Sequence, residues 1–257
     1  MKQDREQLLK SRLSVVNKLT LGEAMILLDS SESTVRRMFS RLEKEGFALR
    51  VHGGIQRLTA GLGDYSFEQV AQTNLEKKTA IAREACRLLQ DGDIIFCDSG
   101  TTIRCFCVEM VEHIRRNNLR IKVYTNSLAN LELLAPHMEV WLIGGQYRPN
   151  RKDFCGYLSD RSLEGLLFDK CFIGADGCID STRFTTTDFE TASMNQIAVA
   201  NSRCSILLAD ASKFSAASHV SYIHADRLQF VITDTTADPE TLKTLRLHTA
   251  QVICAAI

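Results

Sequence analysis

The chain has 257 residues, 45% of them hydrophobic and 24% charged, with 31 basic and 31 acidic side chains and a formal net charge of zero. This is ordinary globular composition, which excludes collagen-like and disordered classes, and the length suits a short module followed by one larger domain. No apolar run reaches the roughly 18 residues of a spanning helix, and the charged stretch 1–10 lacks the apolar core of a secretory signal, so a cytoplasmic protein with no membrane partner is expected.

The nine cysteines contain no CxxC pair, and the six histidines show no HxxxH or HExxH spacing. Most of the cysteines lie in apolar runs such as Ile94-Ile95-Phe96-Cys97. The expectation is reduced, buried thiols, no metal site and no cofactor. The neutral total hides a segregation. Residues 1–60 carry eleven Lys and Arg against seven Asp and Glu, leaving twenty against twenty-four in the remainder. A basic amino-terminal module on an acidic body suits phosphate-backbone binding.

Three helical patterns fill residues 4–45. The first has Leu8, Leu9, Leu13 and Val16 on one stripe. Thr20-Leu21-Gly22-Glu23 is a T-x-x-E capping box that opens the second. Ser31 is placed to cap the third, with Glu32 in its first turn. Val35, Met38, Phe39 and Leu42 claim the inner face of that third helix, and Gly46 suits its C-terminal end. Residues 47–51 read as a strand, His52-Gly53-Gly54 as a turn and residues 55–58 as the return strand. Three helices and a glycine-tipped hairpin define a winged helix-turn-helix over residues 1–58.

Residues 59–74 read as a linker, and residues 75–257 as an α/β domain. Helices are expected at 74–89, 102–115, 128–134, 159–167, 189–200 and 239–245. Strands are expected at 94–98, 121–125, 140–143, 171–174, 204–209, 230–233 and 252–254. This alternation predicts a mostly parallel sheet covered on both faces, with any ligand at the carboxyl ends of the strands.

Two groups of residues carry chemistry. On the third helix Arg37, Arg41 and Lys44 line one stripe, with Ser33, Thr34 and Arg36 beside them. Residues near the start of such a helix meet base edges, and longer basic side chains clamp phosphates. In the α/β domain Asp98-Ser99-Gly100-Thr101-Thr102 joins a strand to a helix, where backbone amides, hydroxyls and the positive helix end suit a phosphate. The same residues also make a plain tight turn, and the motif alone does not decide between the two. Other strand ends contribute Thr125-Asn126-Ser127, Gly144-Gly145 with Arg148, Arg151 and Lys152 after it, Gly174-Ala175-Asp176-Gly177, and Asp210-Ala211-Ser212-Lys213-Phe214.

Ser31-Glu32-Ser33-Thr34-Val35-Arg36-Arg37, then Leu42-Glu43 and Arg50-Val51-His52-Gly53-Gly54, resemble the signature of DeoR/GlpR-type regulators. The D-x-G-T-T, T-N-S, G-A-D-G and L-A-D-x-S-K-F motifs resemble the same family in the same order. The resemblance implies a ribose-phosphate isomerase-like fold for the sensor domain and a phosphorylated sugar or related metabolite as effector. Carried over by position, it implies DNA contacts from Ser31, Ser33, Thr34, Arg36, Arg37, Arg41, Lys44, Arg50 and His52. It implies effector contacts from Ser99, Gly100, Thr101, Thr102, Asn126, Arg148, Asp176, Asp188 and Lys213. The chain departs from the family at Met38-Phe39, where Asp-Leu is usual, at Asp188, where Asn is common, and at Asn195, where Lys is common. The expected function is a DNA-binding regulator, a repressor of a carbohydrate-use operon, acting as a homo-oligomer on operator DNA and not an enzyme. Two alternatives are a regulator responding to a non-sugar phosphate and a sugar-phosphate isomerase in which Asp176 and Lys213 act as base and electrophile.

Overall fold

Capping chemistry and apolar spacing set the amino-terminal head. The computed structural model describes residues 2–16, 18–57 and 66–257. In it α1 (Lys2–Val16), β1 (Lys18–Thr20), α2 (Leu21–Leu28) and α3 (Glu32–Lys44) precede the hairpin of β2 (Ala48–Val51) and β3 (Gly54–Arg57). The capping box forms as read: Thr20 Oγ1 accepts the Glu23 amide at 3.2 Å, and Glu23 Oε2 accepts the Thr20 amide at 2.8 Å. Ser31 stands at the N-cap of α3, but its hydroxyl meets those of Ser33 and Thr34 (3.3 and 3.2 Å) rather than a helix amide. Leu9, Leu13, Ala24, Val35 and Leu42 are fully buried and form the head's own core.

The head has a strand the sequence does not announce. β1 pairs antiparallel with β3 to give the order β1-β3-β2, and three residues are too few to show a period. Gly53 turns the hairpin at φ 76. A Cβ on Gly54 would stand 2.2 Å from the Leu19 carbonyl oxygen, so the wing closes against β1 because that position has no side chain.

The expected strand end Leu58 and residues 58–65 lie outside the described residues. Within the rest of the expected linker, Phe67–Gln72 forms α4, with Phe67 buried and its amide donating to Asn150 O at 3.0 Å. This helix packs on the sensor domain. Its six residues in polar company give too short a pattern to read.

The sensor domain then follows the expected alternation. Its elements are α5 (Leu75–Cys86), β4 (Ile94–Cys97), α6 (Thr101–Asn117), β5 (Lys122–Thr125), α7 (Leu128–Leu134), β6 (Val140–Leu142), β7 (Gln146–Arg148), β8 (Asp153–Cys155), α8 (Tyr157–Glu164), β9 (Phe168–Gly174), β10 (Gly177–Ile179), β11 (Arg183–Thr186), α9 (Phe189–Ala200), β12 (Ser202–Leu208), β13 (Val220–His224), β14 (Phe230–Asp234), α10 (Pro239–His248) and β15 (Gln251–Ala255). Seven strands form one parallel sheet in the order β15-β14-β12-β9-β4-β5-β6. Alternate side chains enter separate cores on its two faces. Phe96, Ile173 and Leu207 join one core, and Ile95, Phe172 and Ile206 the other. All nine cysteines are free thiols, six of them buried.

The strand order reverses between β4 and β9, since β5 and β6 lie to one side and β12, β14 and β15 to the other. Such a switch point opens a crevice at the carboxyl ends of the two strands. A second, antiparallel sheet, β10-β11-β13, borders that crevice through Thr186 of β11.

Candidate functional site

The crevice is a narrow cleft that opens to solvent at these strand ends. One wall is the start of α6, with Gly100 at the N-cap and Thr101 and Thr102 in the first turn. The amides of this turn precede the first helical bond, Arg104 N to Gly100 O at 2.9 Å, so they are free of intrahelical partners and sit at the positive end of a 17-residue helix. Gly174, from the end of β9, faces Gly100 with room for a side-chain carbon between them: a Cβ on Gly100 would stand 3.8 Å from Gly174 Cα. Asp98 lies beneath both, accepting the amides of Ser99 at 2.6 Å and Gly174 at 3.1 Å. Burial pushes the Asp98 carboxyl up, against the pull of those amides.

The opposite wall mixes charges. Lys213, in the short 3₁₀ turn Ala211–Ser215, and Arg151 supply cations. Asp176 accepts the Thr186 hydroxyl at 3.0 Å and the Thr187 amide at 3.1 Å, with Arg151 Nη2 3.6 Å away. The cations and the amide-rich helix end suit an anion, while Asp176, Thr186 and Thr191 suit hydroxyl groups.

Behind the cleft lies a buried ionic cluster. Arg148 forks onto Asp153 (Nε–Oδ1 2.8 Å, Nη2–Oδ2 2.7 Å) and reaches Asp188 Oδ1 at 2.8 Å and Thr191 Oγ1 at 2.9 Å. Burial works against its charge, but Asp153 and Asp188 hold it firmly protonated. Asp188 caps α9 by accepting the Thr191 amide at 2.7 Å. Burial raises its carboxyl, yet the Thr191 amide and the guanidinium groups of Arg148 and Arg151 outweigh this and hold it below the usual carboxylate range. The unfolded chain takes up that proton near pH 4 and the folded chain only at lower pH. The stabilisation is therefore present above about pH 4 and is lost as pH falls through the folded value. Thermal unfolding across the acid range is expected to show a shallower decline for Asp188→Asn than for wild type; superimposable profiles would contradict this.

The effector residues expected from sequence divide three ways. Gly100, Thr101, Thr102, Asp176 and Lys213 line the cleft. Arg148 and Asp188 face a neighbouring cavity that shares Arg151 with it. Ser99 and Asn126 are buried behind the wall, committed to Asp153 Oδ2 at 2.7 Å and Phe154 O at 3.0 Å. Thr186, Thr191 and Val70 are not among the residues expected from sequence, and Arg151 enters there only as a residue after a strand end. Asn195 is buried and reaches Asp98 Oδ2 at 3.4 Å, so this departure from the family falls directly under the cleft floor.

On the head, Arg37, Arg41 and Thr34 border a notch with Arg5 of α1 and Met38. Ser31, Ser33, Arg36 and Lys44 are also exposed, as are Arg50 and His52 on the wing. Arg36 turns to Glu32 at 2.7 Å, and Arg41 to Glu6 at 2.9 Å, exposed pairs that bind little and yield readily to phosphate. Arg50 Nη1 donates to Ser40 Oγ at 3.1 Å, tying the wing to the reading helix. Arg37→Ala is expected to weaken DNA binding by about 1–3 kcal/mol where it reads a base, and Lys44→Ala to lower the salt slope by about one. Titrations of a DNA fragment at several salt concentrations test both, and unchanged midpoints and slopes would refute them.

Head and sensor meet at a seam. Gln56 on β3 is fully buried and donates Nε2 to Cys178 O at 2.7 Å, and the Ala217 amide donates to Arg57 O at 3.2 Å. Cys178 lies two residues beyond Asp176, and Ala217 four beyond Lys213, so both contacts are close in sequence to cleft walls.

A reading head joined to a small-molecule sensor domain is the architecture of a ligand-responsive transcriptional regulator. Residues 5–60 match the model of the DeoR-like helix-turn-helix domain, and residues 73–235 that of the DeoR C terminal sensor domain. The chain belongs to the DeoR family. It is 30% identical over 232 residues to the uncharacterized HTH-type transcriptional regulator FruR of Bacillus subtilis, covering 90% of each chain. It is 30% identical over 246 residues to the lactose phosphotransferase system repressor of Lactococcus lactis, covering 92% of each. Among solved structures it is similar to ribose 5-phosphate isomerase A of Methanocaldococcus jannaschii, at 22% identity and a TM-score of 0.43 over 55% of each chain. The sequence relatives are named as regulators and repressors, and the chain is a DNA-binding transcriptional regulator rather than an isomerase.

Proposed function

We propose that this regulator is a repressor of a carbohydrate-use operon, and that a phosphorylated sugar or related metabolite bound in the sensor cleft sets its affinity for operator DNA. The observation that carries this reading is the pairing, across one switch-point cleft, of the α6 amides, Lys213 and Arg151 with the acceptors Asp176, Thr186 and Thr191. The first group suits phosphate and the second suits sugar hydroxyls. The relatives named as repressors of a lactose phosphotransferase system support a sugar-linked role. Gly100, Thr101, Thr102, Asp176 and Lys213 are the contact residues in this account, while Ser99, Asn126, Arg148 and Asp188 shape the walls.

The chain acts as a homo-oligomer in the cytoplasm on this reading, because paired heads must meet half-sites in helical phase. The effector favours one arrangement of heads, and DNA affinity changes by linkage. The seam at Gln56 and Ala217 gives each cleft a covalently short route to its own wing. Calorimetry with phosphorylated sugars and their dephosphorylated forms tests the cleft. The phosphorylated form is expected to bind more tightly by at least the worth of a charge-assisted hydrogen bond, about 1.5–3 kcal/mol; equal affinity for both forms would overturn the assignment.

A further inference from the structure

Lys78 on α5 is 1% exposed and stands among the largest fully buried side chains of the described residues. Lysine is almost never buried this completely unless paired. Here the ammonium has three donors and one hydrogen-bond partner among the described residues, the Val70 carbonyl at 2.5 Å. The charged and titratable groups that act on it are Lys213, which repels, and Asp210 and Cys105, which attract. Burial first, and Lys213 second, push its ammonium down to about 8. The protein thus confines a cation and, among the described residues, supplies no carboxylate at ion-pair distance.

Its location gives that cost a purpose. Val70, whose carbonyl holds the ammonium, and Lys213, which repels it, both line the sensor cleft, as do Thr101 and Thr102 at the start of α6. Lys78 therefore stands directly behind the cleft wall, in surroundings where a charge acts with little screening. Resting on the anion-binding reading of that cleft, we propose that Lys78 is an effector-sensing residue whose positive charge, with Lys213 and the α6 amides, holds a phosphate dianion in the cleft. The ammonium is a stability liability in the free protein, and the bound anion compensates it.

A lysine that serves only to pin α4 to α5 through Val70 predicts the reverse sign for one measurement, and this separates the two roles. Lys78→Met removes the buried charge while keeping most of the side chain's length and its unbranched shape. It is expected to leave the ligand-free melting temperature equal to or above that of wild type, because a lysine held below its ordinary value destabilises the fold at neutral pH. It is also expected to weaken inorganic phosphate binding about tenfold or more, read by phosphorus NMR line broadening at constant ionic strength. Calorimetry near pH 8.5 in buffers of different ionisation enthalpy is expected to show proton uptake on phosphate binding by wild type and none by Lys78→Met. Lys78→Gln, also neutral, is expected to match Lys78→Met, and Lys78→Arg to retain binding. Wild-type and Lys78→Met protein binding phosphate equally would overturn the proposal and leave the cleft assignment standing. Wild type showing no phosphate binding would overturn the cleft assignment itself. Neutral variants that melt well below wild type, or fail to fold while Lys78→Arg folds, would make Lys78 a structural strut and overturn the proposal.

Discussion

Arg148→Ala is expected to cost about 3–5 kcal/mol of stability, the range for removing one partner from a buried ion pair. The side chain forks onto Asp153, which is fully buried, and also neutralises Asp188. Alanine would strand two carboxylates whose remaining guanidinium neighbour, Arg151, stands 3.7 Å from each. Lysine is expected to recover only part of the loss, since an ammonium does not reproduce the two parallel bonds of the guanidinium. Denaturant unfolding of the three proteins checks the order wild type, lysine, alanine. A cost below about 1 kcal/mol for alanine would mean that the cluster is dispensable and that the loop carrying Arg151 is positioned by something else.

Gly100→Val is expected to abolish the response to effector while leaving DNA binding near wild type. A Cβ on Gly100 meets nothing closer than Asp98 Oδ2 at 3.6 Å, and the residue lies at a φ of −61, so the fold accepts a side chain there. That side chain would stand over the α6 amides, between Gly100 and Gly174, where an anion must approach. The head keeps its own core and its own reading helix, so its affinity for DNA is carried separately. Loss of one charge-assisted contact already lowers affinity by about 1.5–3 kcal/mol, and steric occlusion removes several together. Gel-shift titrations with and without effector on wild type and Gly100→Val check this. A full response in the variant would remove the α6 amides from the account.

Much of this arrangement is legible in the residues, for identifiable reasons. Helices α7 and α9 run over the expected residues because Ser127 and Asp188 provide caps whose oxygens accept the amides of Asn130 and Thr191. The central strands are apolar runs buried on both faces, which is why β4, β9 and β12 stand out. β10, β11 and β13 do not. Gly177–Ile179 is three residues long, and Arg183–Thr186 is rich in threonine, so neither carries a period that separates strand from loop. The missing sheet hides the seam with the head as well, since Gln56 reads as an exposed wing residue until β10 is placed against it. Within the cleft, the strand-end residues were found because parallel sheets put their ligands there. Arg151, Thr186 and Thr191 come from a loop, from β11 and from α9, and only tertiary packing brings them to one wall. Lys78 shows the limit most plainly. In Leu75-Glu76-Lys77-Lys78 it reads as one of two solvated lysines, yet its neighbour is half-exposed and it is buried.

The account's central claim is that an anion in the sensor cleft sets the affinity of the head for DNA. Fluorescence anisotropy of a labelled fragment from upstream of the chain's own coding region tests it most directly, titrated with protein alone and then with a panel of sugar phosphates matched by their dephosphorylated forms. The account predicts that at least one sugar phosphate shifts the DNA dissociation constant by about 5–150-fold, the usual range of allosteric coupling. It also predicts that the matching free sugar shifts it little, and that Gly100→Val and Lys213→Ala proteins bind the DNA but lose the shift. DNA binding that no phosphorylated ligand alters, or that free sugars alter as strongly, would contradict it.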